Sequence, residues 1–411
     1  MGMLQRQAIR TVRRVAPLNA EQLIDVALGV LGRDGFSDWS FQDALERLLG
    51  TLQAEAHLGL FGHLATRFDV LRCLHNLLRL DIAEQADPRI AQRALGRPIF
   101  ITGLPRSGST FLHSLLALDP AAAVPRSWQL IYPYPQLRPW LPGDHRRARV
   151  ARQLGLFRLI APGIARMHPV RADSPQECTD ITGQVFRSLR FDTMYHIPAY
   201  RDWLDEDGQE LGYRFHRRFL CHLDAQGPAG RQWVLKSPDH VFALAALRKE
   251  YPQAHIVMLH RDPLKVMASV AKLTEILRRP FTTRLERAAI GREVSERWAQ
   301  GAQQMIACKS APDNILHLYY RDIVGAPLQT VARLYRHCGL TLSAEAERRM
   351  QAYLRRAPRG GYALHHHSLE EFGLDPAHLR EQFAGYTRAF DVPPERTRQP
   401  PSGGVFNPRP A

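Results

Sequence analysis

Long apolar runs and an apolar leader segment are both absent from this sequence of 411 residues. No stretch approaches the roughly 20 apolar residues that a membrane-spanning helix requires. The first twenty residues carry arginines but lack the apolar segment of a secretory signal. We therefore expect a chain that is neither inserted into a membrane nor exported.

Cysteine is also rare. Only five cysteines occur, at positions 73, 178, 221, 308 and 338, and no two of them form a CxxC pair. Their spacing matches neither a disulfide framework nor a zinc-binding pattern. We expect free thiols and a cytoplasmic location.

Lysine is scarce in a strongly basic chain. Only five of the 55 basic residues are lysines, so 50 are arginines, and the formal net charge is +15. Such a charge is compatible with nucleic acid, an anionic membrane or an acidic small molecule as partner. Because the arginines are spread along the chain and are not interleaved with aromatics on one face, we expect no nucleic-acid partner.

The composition is that of a folded globular protein, with 45% hydrophobic and 23% charged residues. Four short apolar runs alternate with helical stretches, which predicts an α/β fold with a parallel sheet flanked by helices. These runs cover residues 98–102, 232–235, 255–259 and 315–319.

Three regions are predicted along the chain. Residues 1–95 show helical periodicity and should form an N-terminal helical extension. Residues 96–390 should form the α/β domain, within which the proline- and arginine-rich residues 121–230 form helices and loops that shape an acceptor site. The prolines and glycines of residues 391–411 predict a flexible tail.

Apolar residues within the helical extension predict individual helices. Asn19 is the expected N-cap of the first helix and Gly32 its end. A later stripe recurs at threes and fours and predicts a helix with one buried face; its members are Leu58, Phe61, Leu64, Phe68, Leu71, Leu74 and Leu78.

The strongest local motif lies between the first predicted strand and its helix, at residues 103–110, with the sequence GLPRSGST. Backbone N–H groups in such a loop, together with the following helix N-terminus, form a cradle for an anion. The loop is P-loop-like, but Ser109 stands where nucleoside triphosphatases have lysine, and the cation is Arg106 instead. A kinase or nucleotide-binding protein is the alternative interpretation, weakened by the missing lysine and magnesium carboxylate.

A second group of polar residues follows later strands. Lys236 ends one predicted strand, and Arg261 follows the next. Ser269 lies eight residues further on, on a predicted helix. Ligands of parallel sheets bind at the carboxyl ends of strands, so an arginine and a hydroxyl there predict a second phosphate site.

Together these motifs resemble those of the bacterial sulfotransferases that use 3′-phosphoadenosine-5′-phosphosulfate (PAPS). The loop at residues 104–110 is similar to their 5′-phosphosulfate loop, and Arg261 with Ser269 is similar to their 3′-phosphate motif. The resemblance extends over about residues 96–390 and includes the Lys236-Ser-Pro segment. It implies sulfuryl transfer from PAPS to a hydroxyl, which leaves adenosine 3′,5′-bisphosphate (PAP), without a metal.

The resemblance also implies roles for individual residues. Arg106 and Lys236 would stabilise charge during catalysis. By position, the cofactor-binding residues would be Pro105, Arg106, Ser107, Gly108, Ser109, Thr110, Arg261, Ser269 and Arg359. The acceptor would be a small molecule, a lipid or a natural product, and a homo-oligomer is possible.

The general base departs from the family pattern. Relatives often carry glutamate after a tryptophan that follows the first helix, whereas this chain has Trp128 followed by Gln129, which cannot accept a proton. We expect Glu177 to act as the base, with His168 as a weaker alternative.

The three histidines at positions 365–367 are a weak candidate for metal binding. Consecutive residues of a regular element cannot all face one ion, and no carboxylate or cysteine cluster accompanies them. We expect no metal site.

Overall fold

A computed structural model describes the chain over residues 11–12, 15–135, 143–160, 170–309, 314–356 and 368–395. Its centre is a parallel sheet of five strands in the order β2-β3-β1-β4-β5. The strands are β1 (Ile99–Gly103), β2 (Ala122–Ala123), β3 (Gln232–Lys236), β4 (His255–His260) and β5 (Ile315–Tyr319). The four predicted strands are confirmed, and β2 is an addition within the region expected to hold only helices and loops.

The central strand β1 pairs with β3 on one side and with β4 on the other, with Ile99 opposite Val234 and His255. All five residues of β1 are buried. The carboxyl ends of β1, β3 and β4 therefore meet at one edge of the sheet, where the loops that follow them can share a ligand.

In the described part of the chain, three α-helices of more than ten residues lie before β1: α1 (Ala20–Leu31), α2 (Gln42–Glu55) and α3 (Leu60–Ala86). The predicted start of α1 is confirmed, because the Asn19 side chain accepts a hydrogen bond from the Gln22 N–H at 2.9 Å. Gly32 ends the helix in the left-handed conformation. Buried residues of all three helices belong to the same hydrophobic core as Phe100 and Leu235 of the sheet.

The prediction for the buried face of α3 was right in part. Leu58, Leu74 and Leu78 of the predicted stripe are buried, and Leu71 packs against the core, but the prediction for the first half of the helix was wrong. Phe61, Leu64 and Phe68 are exposed by 37%, 46% and 53% of their surface, whereas Val70 and Leu77 are buried. The helix carries apolar residues around much of its circumference, so periodicity alone does not determine which side packs.

Fifteen further helices of the described chain surround the sheet. They are α4 (Ser109–Leu116), α5 (Ser127–Ile131), α6 (Arg146–Ile160), α7 (Thr179–Thr182), α8 (Arg190–Met194), α9 (Pro198–Glu206), α10 (Glu210–Ala225), α11 (Leu244–Glu250), α12 (Pro263–Arg278), α13 (Arg287–Ala307), α14 (Tyr320–Gly325), α15 (Pro327–His337), α16 (Ala344–Arg356), α17 (Pro376–Gln382) and α18 (Ala384–Ala389). In the described ranges, no helix combines the length and apolar character needed to cross a bilayer.

The beginning of the segment predicted as a flexible tail is packed. Val392 is buried, and the Glu395 carboxylate contacts Arg261. The packed chain thus continues to residue 395, and the remainder of that segment lies outside the described residues.

Candidate active site

The phosphate loop between β1 and α4 depends on glycine at both ends. Gly103 has φ +121°, and a Cβ there would lie 2.2 Å from the Leu259 carbonyl oxygen on β4. Gly108 has φ +88° and is the N-cap of α4. A side chain at either position would be strained, so these two glycines allow the tight turn that aims the loop at the helix N-terminus.

Arg106 lies at the centre of this loop, in the left-handed region with φ +59°. Its Nε donates a hydrogen bond to Ser269 Oγ at 3.0 Å, and its carbonyl oxygen accepts one from Arg261 Nη1 at 2.6 Å. Burial, and secondly the charge of Arg261, lower the pKa of Arg106. The structure thus brings the two predicted phosphate motifs together, and the resulting pair of cations favours an anionic ligand.

Arg261 is held on two sides. Its guanidinium lies 3.7 Å from the ring centre of Tyr320, and it donates two hydrogen bonds to the Glu395 carboxylate, at 2.8 and 3.0 Å. This fork geometry also suits a phosphate. Sequence reasoning missed Glu395 because it lies 134 residues from Arg261, in a segment without periodic pattern.

Lys236, the last residue of β3, is 1% exposed. Its Nζ donates to Thr110 Oγ1 at 3.3 Å and forms an ion pair with the Glu177 carboxylate. The Lys236 carbonyl accepts from the Cys178 N–H at 3.0 Å, which fixes the segment that carries Glu177. The predicted electrophile and the predicted base are therefore in direct contact beside the phosphate loop.

Gln129 has a structural role where relatives often carry glutamate. Its side-chain oxygen accepts from the Arg126 N–H at 3.0 Å at the start of α5. The neighbouring Trp128 N–H donates to the Ala172 carbonyl at 3.0 Å, so this segment pairs with the one that leads to Glu177.

Asp239, in the turn after β3, is a carboxylate that sequence reasoning missed. Its N–H donates to Ser237 Oγ at 3.2 Å. Burial, and secondly the charge of Glu177, raise its pKa to about 7. Its position three residues after Lys236 could have identified Asp239 as a candidate site residue. Its raised pKa depends on tertiary packing, which the sequence alone does not show.

His113, on α4, has an imidazole in the core beneath the loop. Its Nε2 lies 3.1 Å from the Val234 carbonyl oxygen. Burial, and secondly the charge of Lys236, lower the pKa of His113 to about 3. This ring is neutral at physiological pH and serves packing instead of proton transfer.

The remaining predicted residues of the loop lie where the pattern placed them. Ser107 is fully buried and donates to the Leu104 carbonyl at 2.5 Å, which tightens the turn. Pro105 is buried, and Ser109 is the first residue of α4. Arg359, His168 and the histidines at positions 365–367 lie outside the described residues. Among the described side chains, no three potential ligands cluster as a metal would require.

Comparison with known proteins assigns this site to a family. Residues 98–344 match the Sulfotransferase family. The chain belongs to this family and is a sulfotransferase, and use of PAPS as sulfuryl donor is the family's general property. This assignment decides against the kinase interpretation.

Solved structures confirm the fold. Sulfotransferase STF1 from Mycobacterium tuberculosis H37Rv, known from a crystal structure, has 32% sequence identity to this chain. The two structures superpose with a TM-score of 0.78, and the match covers 89% of this chain and 98% of STF1. Sulfotransferase STF9 from Mycobacterium avium is 26% identical, with a TM-score of 0.81 over 92% and 97% of the two chains. A curated relative from Mycobacterium bovis, the omega-hydroxy-beta-dihydromenaquinone-9 sulfotransferase Stf3, is 25% identical over 68% of this chain and 72% of its own length.

Proposed function

We propose that this sulfotransferase transfers the sulfuryl group of PAPS to the hydroxyl of a lipid-like acceptor, with Lys236 and Glu177 at the reacting centre. The observation that carries the proposal is the contact of Lys236 Nζ with both Thr110 and Glu177 at the mouth of the phosphate loop. In-line transfer at sulfur needs a cation near the leaving phosphate and a carboxylate near the attacking hydroxyl, and we assign these roles to Lys236 and Glu177.

The donor would bind by its two charged ends. The backbone N–H groups of residues 105–110 and the side chain of Arg106 would hold the 5′-phosphosulfate. Arg261 and Ser269 would hold the 3′-phosphate, with Arg359 as an additional ligand. The support is the 2.6 Å hydrogen bond from Arg261 to the Arg106 carbonyl, which sets the two ends side by side.

In the transfer step, the acceptor oxygen attacks sulfur as the bond from sulfur to the bridging oxygen of the 5′-phosphate breaks. The hydroxyl proton passes to the Glu177 carboxylate, and the electron pair of the broken bond stays on the phosphate oxygen. Lys236 and Arg106 stabilise the charge that develops there. PAP leaves with that charge, and no metal takes part.

The ion pair between Lys236 and Glu177 has a function of its own in this scheme. The Glu177 carboxylate gives the buried Lys236 ammonium a counterion before the donor arrives. Donor binding gives Lys236 a second anionic partner in the phosphosulfate.

A lipid-like acceptor is supported by the Mycobacterium bovis relative, an omega-hydroxy-beta-dihydromenaquinone-9 sulfotransferase. Four aromatic residues of the 121–230 region give it no support. Tyr132, Phe186, Tyr195 and Tyr200 are each at most 4% exposed and belong to hydrophobic cores of the fold.

We also propose a cytoplasmic location. All five cysteines are free thiols, and four of them are buried. Free thiols are the normal state in a reducing compartment.

The experiment is incubation of the purified protein with radiolabelled PAPS and a lipid extract, followed by mass spectrometry for a gain of one SO3 group. We expect a labelled lipid product whose yield is the same in EDTA and falls with Lys236→Ala. Labelling confined to water-soluble products would overturn the lipid acceptor, and activity restored only by added metal would overturn the metal-free mechanism.

A further inference from the structure

Six exposed apolar side chains form a group on two neighbouring helices; a seventh, Ile82, lies near the far end of the longer helix and is not part of the group. Single exposed apolar residues are ordinary, but a group of them on neighbouring helices indicates an interaction site. This group, called the α3–α6 surface below, consists of Phe61, Leu64 and Phe68 of α3 and Leu156, Leu159 and Ile160 of α6. The three residues of α6 are exposed by 64%, 79% and 45%.

The two helices contribute to one continuous surface because both contact the same ring. Phe281 is buried, with its ring centre 5.6 Å from that of Phe61 and 6.4 Å from that of Phe157. Its backbone also fixes the start of α3, since its carbonyl accepts from the Gly59 N–H at 2.8 Å. The exposed side chains of α3 and α6 therefore flank a common buried anchor.

The charge of α6 is of one sign. Its 15 residues include five arginines and no acidic residue. Arg146 and Arg147 pair with Asp144 and Asp173, at the end of the helix away from the exposed leucines. The other three, Arg149, Arg152 and Arg158, form no ion pair with any residue in the described ranges. Arg149 lies 4.1 Å from the ring centre of Tyr132, and Arg158 donates to the Val170 carbonyl at 2.7 Å. A helix that presents arginines beside protruding leucines has the chemistry of a segment that binds an anionic lipid surface.

We propose that the α3–α6 surface docks the enzyme onto a bilayer that contains anionic lipids. The aromatic and aliphatic side chains would enter the boundary between headgroups and acyl chains, and the arginines would lie at the level of the phosphates. No spanning helix is needed for such binding.

The surface adjoins the proposed base through a short series of contacts. Asp69, next to Phe68 in the sequence, pairs with Arg190 at 2.6 Å, and Arg190 lies 3.7 Å from Asp180. The Asp180 N–H donates to the Glu177 carbonyl at 3.2 Å. The α3–α6 surface is thus linked through packed side chains to the segment that carries Glu177, and docking would bring that segment near an acceptor anchored in the bilayer by its apolar chain. In this respect the inference rests on the proposed lipid acceptor.

A second copy of the chain fits this surface less well than a membrane does. In a two-fold dimer the same patch meets itself, so the arginines of one α6 would face those of the other. Like charges placed opposite each other across an interface oppose association. Phosphates of anionic lipids would neutralise the same arginines.

The test is flotation of the full chain with vesicles of phosphatidylcholine alone or mixed with phosphatidylglycerol. We expect binding only to the mixed vesicles and a decrease as salt rises. Leu159→Glu should lower the partition coefficient about tenfold or more, and Arg152→Gln about fivefold. The matched control is Val30→Glu on α1, which places the same charge on a 65% exposed valine outside the surface and should bind as the wild type does.

Wild-type protein that fails to float with mixed vesicles would overturn the inference, as would Leu159→Glu protein that floats normally. A Leu159→Glu variant that converts a dimer to a monomer in light scattering would assign the surface to a second copy instead. The flotation assay uses neither donor nor acceptor, so it is independent of the proposed function. Sulfation of a vesicle-borne alcohol without vesicle binding by the α3–α6 surface would retain the function and reject the docking.

Discussion

The Glu395 carboxylate accepts two hydrogen bonds from the Arg261 guanidinium, at 2.8 and 3.0 Å, where the 3′-phosphate of the donor is proposed to bind. The Glu395 N–H donates to Asp262 Oδ2 at 2.8 Å, which holds the residue in place. A carboxylate in this position competes with a phosphate for the same two N–H donors. We therefore expect Glu395 and the 3′-phosphate of the nucleotide to compete for Arg261.

Glu395→Gln should tighten PAP binding by about threefold to tenfold, the scale of a partly exposed ion pair that no longer has to be displaced. Calorimetric titration measures the change. Glu371→Gln, at an exposed glutamate, is the matched control and should leave the affinity unchanged. Weaker PAP binding by Glu395→Gln would show that Glu395 supports the nucleotide site instead of competing for it.

Lys236→Ala should lower kcat by about 100-fold or more, since the scale for loss of one donor to a developing oxyanion is about 100- to 1,000-fold. PAP affinity should change by less than about threefold, because Lys236 acts mainly on the charge that appears in the transition state. Steady-state kinetics and calorimetry separate the two effects. Lys249→Ala, at an exposed lysine, is the control. Equal losses in affinity and kcat would make Lys236 a donor-binding residue only.

Glu177→Gln should lower kcat by about 100- to 10,000-fold with an aliphatic alcohol as acceptor, the range for loss of a general base. A more acidic phenol should restore much of the rate because it ionises without help, whereas Lys236→Ala should gain little. Glu206→Gln, at an exposed glutamate, is the control. Wild-type rates for Glu177→Gln on the aliphatic alcohol would remove Glu177 from the mechanism.

Asp239 should make stability depend on pH. With its pKa raised from 3.8 to about 7, the folded chain holds a proton that the unfolded chain has already released. The folded state therefore binds more protons between these values, and stability falls as pH rises through this window. Asp239→Asn should reduce that fall in Tm between pH 5 and pH 8, whereas the exposed Asp25→Asn should not. An unchanged pH profile in Asp239→Asn would contradict the raised pKa.

Local sequence patterns were enough for four strands of the sheet and for the loop that joins β1 to α4. Apolar runs bounded by turn residues identified β1, β3, β4 and β5. The positions of Arg106 and Arg261 after strands predicted two anion sites, and the structure places these two residues in contact. The two residues of β2, Ala122 and Ala123, are too few to form a pattern. Their pairing with β3 depends on the rest of the fold.

The features that the sequence did not predict have a common physical cause. Burial and pairing depend on contacts between segments that are distant in sequence. The first half of α3 carries exposed phenylalanines, so its periodicity was misleading there, whereas Leu74 and Leu78 are buried as predicted. Burial and, secondly, Glu177 raise the pKa of Asp239, and Arg261 holds Glu395; both partners lie far away in sequence. No pattern within a short window contains that information.

The measurement that tests the central claim most directly is calorimetric titration of the purified chain with PAP and, separately, with magnesium ATP. The account predicts tighter binding of PAP, with Arg106→Ala and Arg261→Ala each weakening it by about 10- to 150-fold, the scale of 1.5 to 3 kcal/mol for a charge-assisted hydrogen bond. Tighter binding of magnesium ATP, or PAP affinity unchanged in both variants, would contradict it.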